Sequence, residues 1–106
     1  MSYRFVRILV FFDLPVITNE DKRNYRNFRK YLIKNGFIMM QESIYCKLAV
    51  TRGAAEQIVK NIRTNRPSQG LVQLLTVTEK QFAAMEMITG EFKSDILDSD
   101  ERLVII

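Results

Sequence analysis

The segment Tyr3 to Phe12 limits the fold more than any other part of the chain. It is rich in Val, Ile, Leu and Phe at both odd and even positions, with only Arg4 and Arg7 interrupting. Alternate side chains of a strand point to opposite faces, so a segment apolar on both faces predicts a central strand covered largely on both sides. Asp13-Leu14-Pro15 ends it. Thr18, followed three residues later by Asp21, resembles an acidic variant of the capping box and opens a helix that runs to about Asn35 and stops at Gly36.

Phe37 to Val50 is β-rich but longer than a usual strand, and its polar centre Gln41-Glu42-Ser43 divides it into two. From Gly53 to about Asn65, Ala55, Ile58, Val59 and Ile62 share one helical face, Lys60 and Arg63 lie on another, and the helix ends before Pro67. Gly70 to Val77 returns to a strand pattern. Glu79 to Ile88 predicts a short third helix packed through Phe82 and Met85, and a polar, acidic stretch from Gly90 to Glu101 leads to Leu103-Val104-Ile105-Ile106.

The order β-α-β-β-α-β is that of an α+β ferredoxin-like sandwich with two helices on one sheet face. Residues 1–88 are expected to form this domain and residues 89–106 a C-terminal arm and strand. The last strand is surplus to the sandwich. It either pairs within its own chain or adds to the edge of a second subunit's sheet, fastening a dimer; the exchange is the favoured expectation.

At 106 residues, 47% hydrophobic and 26% charged, the chain is a single globular domain by size and composition. Its early apolar run, Ile8 to Phe12, falls far short of the ~20 residues of a membrane span and resembles no secretory signal, so no membrane partner and a cytoplasmic location are expected. Cys46 is the one cysteine, which rules out an internal disulfide and a cysteine-rich zinc site, and it is expected to be a buried small hydrophobe. Histidine is absent. That removes Ser-His-Asp triads and histidine–metal nucleases, so any hydrolytic chemistry would rest on carboxylates and a hard metal such as Mg²⁺.

Charge is distributed unevenly. Residues 1–80 carry 14 Lys and Arg against 6 Asp and Glu, whereas residues 81–106 carry 2 against 6. A basic body suggests a polyanion partner, with nucleic acid the first candidate. The sharpest concentration is Lys22, Arg23, Arg26, Arg29, Lys30 and Lys34, with no acid between Asp21 and Glu42. At 100° per residue these six share a broad arc, with Ile33 among them, and Tyr25, Phe28, Tyr31 and Leu32 fall roughly opposite. Such a face is either simply solvated or laid against phosphates. Like charges at i,i+4 spacing repel, which favours the phosphates.

Glycine-rich phosphate loops are missing, and so is the aromatic signature of an RNA-recognition sheet. Asp13 remains as a candidate catalytic and metal-binding residue, a carboxylate at the end of an apolar strand; the alternative is a turn former ahead of Leu14-Pro15. One acid is thin for metal-assisted phosphodiester hydrolysis, so activity would need a two-fold dimer that brings two copies of Asp13 together.

Phe11-Phe12-Asp13-Leu14-Pro15 resembles the aromatic-Asp-Ile/Leu-Pro signature of the CRISPR-associated Cas-two family. Asn35-Gly36-Phe37 with Gln41, Ser43 and Tyr45 is similar to that family's Gly-x-x-x-x-Gln-x-Ser-Val-Phe strand pair, Ile44 and Tyr45 being mild departures. Leu74 to Phe82 and Ser99 to Ile105 look like its type II-A branch. The resemblance implies a ferredoxin-like homodimer that bridges dimers of a Cas-one family integrase in spacer acquisition, with a double-stranded DNA prespacer across its basic surface. It also implies a label of Mg²⁺-dependent endonuclease on RNA or DNA, with Asp13 as the metal-binding aspartate and Ser43 and Tyr45 nearby. By the same match Lys22, Arg23 and Arg26 lie beside the DNA, and Lys30 and Lys34 extend that basic face.

Overall fold

The computed structural model describes residues 5–90, with β1 (Val6–Asp13), α1 (Asn19–Lys34), β2 (Ile38–Gln41), β3 (Ile44–Ala49), α2 (Arg52–Thr64), β4 (Leu71–Thr78) and α3 (Glu79–Ala83). The strands form one antiparallel sheet in the order β2-β3-β1-β4. This is the expected ferredoxin-like α+β arrangement, with the first strand at its interior. The arm and its strand, Leu103 to Ile106, lie outside the described residues, as do Tyr3 and Arg4.

Even-numbered residues of β1, namely Val6, Ile8, Val10 and Phe12, are buried in the layer between sheet and helices. Phe28 and Leu32 from α1, Tyr45 and Ala49 from β3, and Ala55 and Ile62 from α2 complete that layer. Full burial of side chains this size contributes ~1.5–3 kcal/mol each, and most of the fold's stability resides here. Phe12 sits at its centre, edge-on to Phe28 at 5.3 Å and stacked on Tyr45 at 5.7 Å between ring centroids.

Odd-numbered residues of β1 face the other way, where among the described residues only the short α3 lies against the sheet, at the Arg7 end of β1. Leu9 pairs across the strands with Cys46 on one side and Leu75 on the other. Leu9 and Cys46 are buried by their neighbours, and burial pushes the Cys46 thiol up despite the opposing charge of Arg7. Around them Ile38, Leu48, Leu71 and Leu75 remain exposed, so this sheet face is an apolar surface open to solvent.

Local chemistry fixes α1 at both ends. The Asp21 amide donates to Thr18 Oγ1 at 2.9 Å and the Asp21 carboxylate accepts from the Thr18 amide at 3.1 Å, the expected box. At the other end Gly36 takes a φ of +91°, and Lys47 Nζ donates to the Asn35 carbonyl at 2.6 Å. A cation there complements both an orphan carbonyl and the negative end of the helix dipole.

The third helix is shorter than the sequence predicts, ending at Ala83 and not Ile88. The Ala84 amide turns back to the Lys80 and Gln81 carbonyls and the Met85 amide to Phe82, closing the turn. Met85 is 41% and Ile88 83% exposed, so continuing the helix would bury little, and short helices form only where packing supports them. Met85 is therefore not a packing residue. Phe82 is: the Arg7 guanidinium lies 4.5 Å from its ring centroid and forms an ion pair with Glu79, tying α3 to the sheet's open face.

Candidate nucleic-acid interface and the Asp13 corner

Burial of Phe28 and Leu32 fixes the rotation of α1, and the basic face follows from it. Lys22, Arg23, Arg26, Lys30 and Lys34 are all exposed on the side away from the sheet. Among the described residues the one ion pair is Arg7–Glu79, so none of these five has a carboxylate partner. At 1.5 Å per residue they extend over about 18 Å, the length of roughly five base pairs of duplex. Ile33, 47% exposed, interrupts the face as its helical position predicts.

Arg29 stands at the boundary between this face and the core. Its guanidinium and the Tyr25 ring lie near the Tyr45 phenol, which is fully buried and has no hydrogen-bond partner of its own in donor–acceptor geometry. Burial pushes the Tyr45 phenol up, and the charge of Arg29 opposes that shift. Tyr25 Oη donates to the Glu42 carbonyl at 3.5 Å, linking α1 to the β2–β3 turn. Tyr45 thus belongs to the helix-facing layer, stacked on Phe12.

Asp13 is the exposed last residue of β1, paired in register with Leu71 at the start of β4. Ser43 reaches the same strand end through its backbone, its carbonyl accepting from the Phe12 amide at 3.0 Å. Gly70 supports the corner from the other side. With φ at +93°, it approaches so closely that a Cβ would stand 2.9 Å from the Asp13 carbonyl oxygen and 2.7 Å from Leu14 Cδ2. In the sequence Gly70 marks only the boundary of a strand, and a glycine directly before a strand is the one signal of this close approach.

No group of three or more His, Cys, Asp or Glu is gathered among the described residues. One chain therefore presents a single strand-end carboxylate, which does not fit a complete metal site. Hydrated Mg²⁺ is held by one or two carboxylates together with substrate phosphates, so Asp13 alone offers the minimum donor set and a second chain's Asp13 would supply the other carboxylate.

Fold and corner together define a small ferredoxin-like domain with a cationic first helix and a solvent-facing aspartate closing its first strand. Comparison with known proteins narrows this further. Residues 6–85 match the family model described as CRISPR associated protein Cas2. A Treponema denticola protein named CRISPR-associated endoribonuclease Cas2 is 57% identical over 95% of this chain and 100% of its own length. Proteins of the same name from Lacticaseibacillus rhamnosus and Streptococcus mutans are each 44% identical over 95% of this chain, covering 100% and 93% of theirs. The chain belongs to the CRISPR-associated Cas2 family, and the Streptococcus relative is consistent with its type II-A-like character. No helix among the described residues is long and apolar enough to cross a membrane.

Proposed function

We propose that the chain acts in CRISPR adaptation as a homodimeric scaffold that holds a prespacer duplex and bridges dimers of a Cas-one family integrase. The unpaired cationic face of α1 carries this reading, since an all-positive row is locally unfavourable unless an anion lies on it. The open apolar sheet face is suited to a second copy, and the arm of residues 89–106 would fasten the pair by adding to the partner's free sheet edge. If about six phosphates are contacted, duplex affinity should fall ~10³-fold between roughly 50 and 200 mM salt. Neutralising Lys22, Arg23, Arg26 and Lys30 together should remove most of that slope. A flat salt response, or unchanged duplex affinity in the quadruple variant, defeats the proposal; co-elution with a purified integrase tests the bridging.

A second reading follows from the exposed carboxylate of Asp13 and the endoribonuclease name of the relatives: an Mg²⁺-dependent endonuclease acting on RNA or DNA. Two Asp13 side chains from a dimer would hold the ion, which when bound supplies charge stabilisation to a phosphodiester under attack. Asp13→Asn should abolish cutting while keeping the fold and duplex affinity. Cutting that persists in that variant or in EDTA rules this chemistry out.

A further inference from the structure

Tyr25 and Arg29 lie one turn apart on the same side of α1, the side that looks toward the β2–β3 turn. Tyr25 fixes that orientation: its ring lies 5.7 Å from the ring of Phe12, and its hydroxyl reaches the Glu42 carbonyl. Phe28, edge-on to Phe12, occupies the neighbouring position in the core. Arg29 therefore leaves the helix directly above the aromatic layer, near the start of β3, and its guanidinium comes close to the Tyr45 phenol.

Packing alone does not account for the Tyr45 hydroxyl. The side chain is fully buried, and its oxygen is the one buried polar side-chain atom among the described residues with no partner in hydrogen-bond geometry. A buried hydroxyl left unmatched is unfavourable, and a phenylalanine would fill the same space, stacked on Phe12 at 5.7 Å, without that penalty. What the hydroxyl does have beside it is a cation of the basic face. Arg29 is itself exposed and has no carboxylate partner, since the one ion pair among the described residues is Arg7–Glu79.

The chemistry of this pairing decides its use. A carboxylate beside Arg29 would order the side chain and cancel its charge, whereas a neutral phenol oxygen can order it and leave the charge free for an anion. A guanidinium carries donors on more than one edge, so one edge can meet the phenol while another meets phosphate oxygens bidentately. An arginine ordered in advance also loses less freedom when the anion arrives.

We infer that Tyr45 is a positioning residue for nucleic-acid binding, its phenol oxygen holding the Arg29 guanidinium at the inner margin of the α1 face for contact with one phosphate of the duplex. This rests on the duplex-holding function proposed above. It adds Arg29 to Lys22, Arg23, Arg26, Lys30 and Lys34 as a contact of a different kind, fixed before binding by a group beneath it.

Duplex affinity of the full-length protein, read by fluorescence anisotropy between about 0.05 and 0.2 M salt, tests this. R29Q should lower the salt slope by about one, the loss of one phosphate contact. Y45F keeps every charge and should keep the slope, yet weaken affinity about three- to tenfold because Arg29 must then be ordered on binding. R29K should resemble Y45F, since an ammonium retains the charge but not the fork. The decisive readout is the pair: in the R29Q background Y45F should change affinity less than about twofold, whereas a general structural defect would weaken both backgrounds alike. Equal losses with and without Arg29, or no loss in Y45F, overturn the role of Tyr45, and an unchanged slope in R29Q removes Arg29 from the phosphate contacts. Each of those results leaves the duplex-holding function standing. A flat salt response in the unaltered protein defeats that function and this inference together.

Discussion

Gly70 stands directly against the backbone of Asp13, so the position of the strand-end carboxylate depends on a residue 57 places away in the sequence having no side chain. The contact is with the Asp13 carbonyl oxygen and with Leu14, which is buried and has little room to move. Gly70→Ala should therefore destabilise the protein by ~1–3 kcal/mol, from a positive φ and an overlap together. Urea unfolding would show this as a lower midpoint at unchanged slope. An unaltered midpoint would mean that the corner relaxes freely.

Lys47 is a structural cation and not part of the basic face. Its ammonium group caps the C-terminus of α1 at the Asn35 carbonyl, and Lys47→Met should cost ~0.5–1.5 kcal/mol with little change in duplex affinity. The loss should shrink as salt is raised. A variant that keeps its stability but loses duplex affinity would reassign Lys47 to the nucleic-acid surface.

Thr18→Ala removes the hydroxyl that accepts the Asp21 amide and should cost ~1 kcal/mol. The first turn carries Lys22 and Arg23 on its exposed side, so fraying there should also lower duplex affinity. Amide hydrogen exchange across residues 19–23 would report the fraying, and unchanged protection would show that packing alone holds the turn.

Tyr45 offers a test of the core. Its hydroxyl is buried with only the Arg29 guanidinium close to it and no partner in strict hydrogen-bond geometry, so Tyr45→Phe should change stability little at neutral pH. Burial raises the phenol above its ordinary value of 10.0, so the folded state binds its proton more tightly than the unfolded chain does. The associated stability is fully present below pH 10.0 and is lost as pH rises through the folded-state value. Tyr45→Phe should blunt that alkaline loss in thermal melts taken above pH 10.0; identical alkaline profiles would show that other groups govern it.

The order of elements was legible because each carries its own signal: an apolar run on both faces in β1, the i,i+4 spacing of Phe28 and Leu32, and the turn chemistry of Asn35-Gly36. The capping box at Thr18 could be read directly, since it lies within four residues. Helix α3 was overestimated for the same reason. Phe82 and Met85 have helical spacing, but spacing does not reveal that there is no surface beneath Met85. The basic face of α1 was visible as composition. Gly70 beneath Asp13 and Lys47 on Asn35 were not, because each depends on a tertiary contact between distant segments.

Arg7 joins the start of β1 to α3 through both the Glu79 carboxylate and the Phe82 ring. A single side chain from an interior strand thereby holds α3 by a charge and by an aromatic face at once. Loosening that clasp would leave the sandwich intact and let the short helix swing away from it.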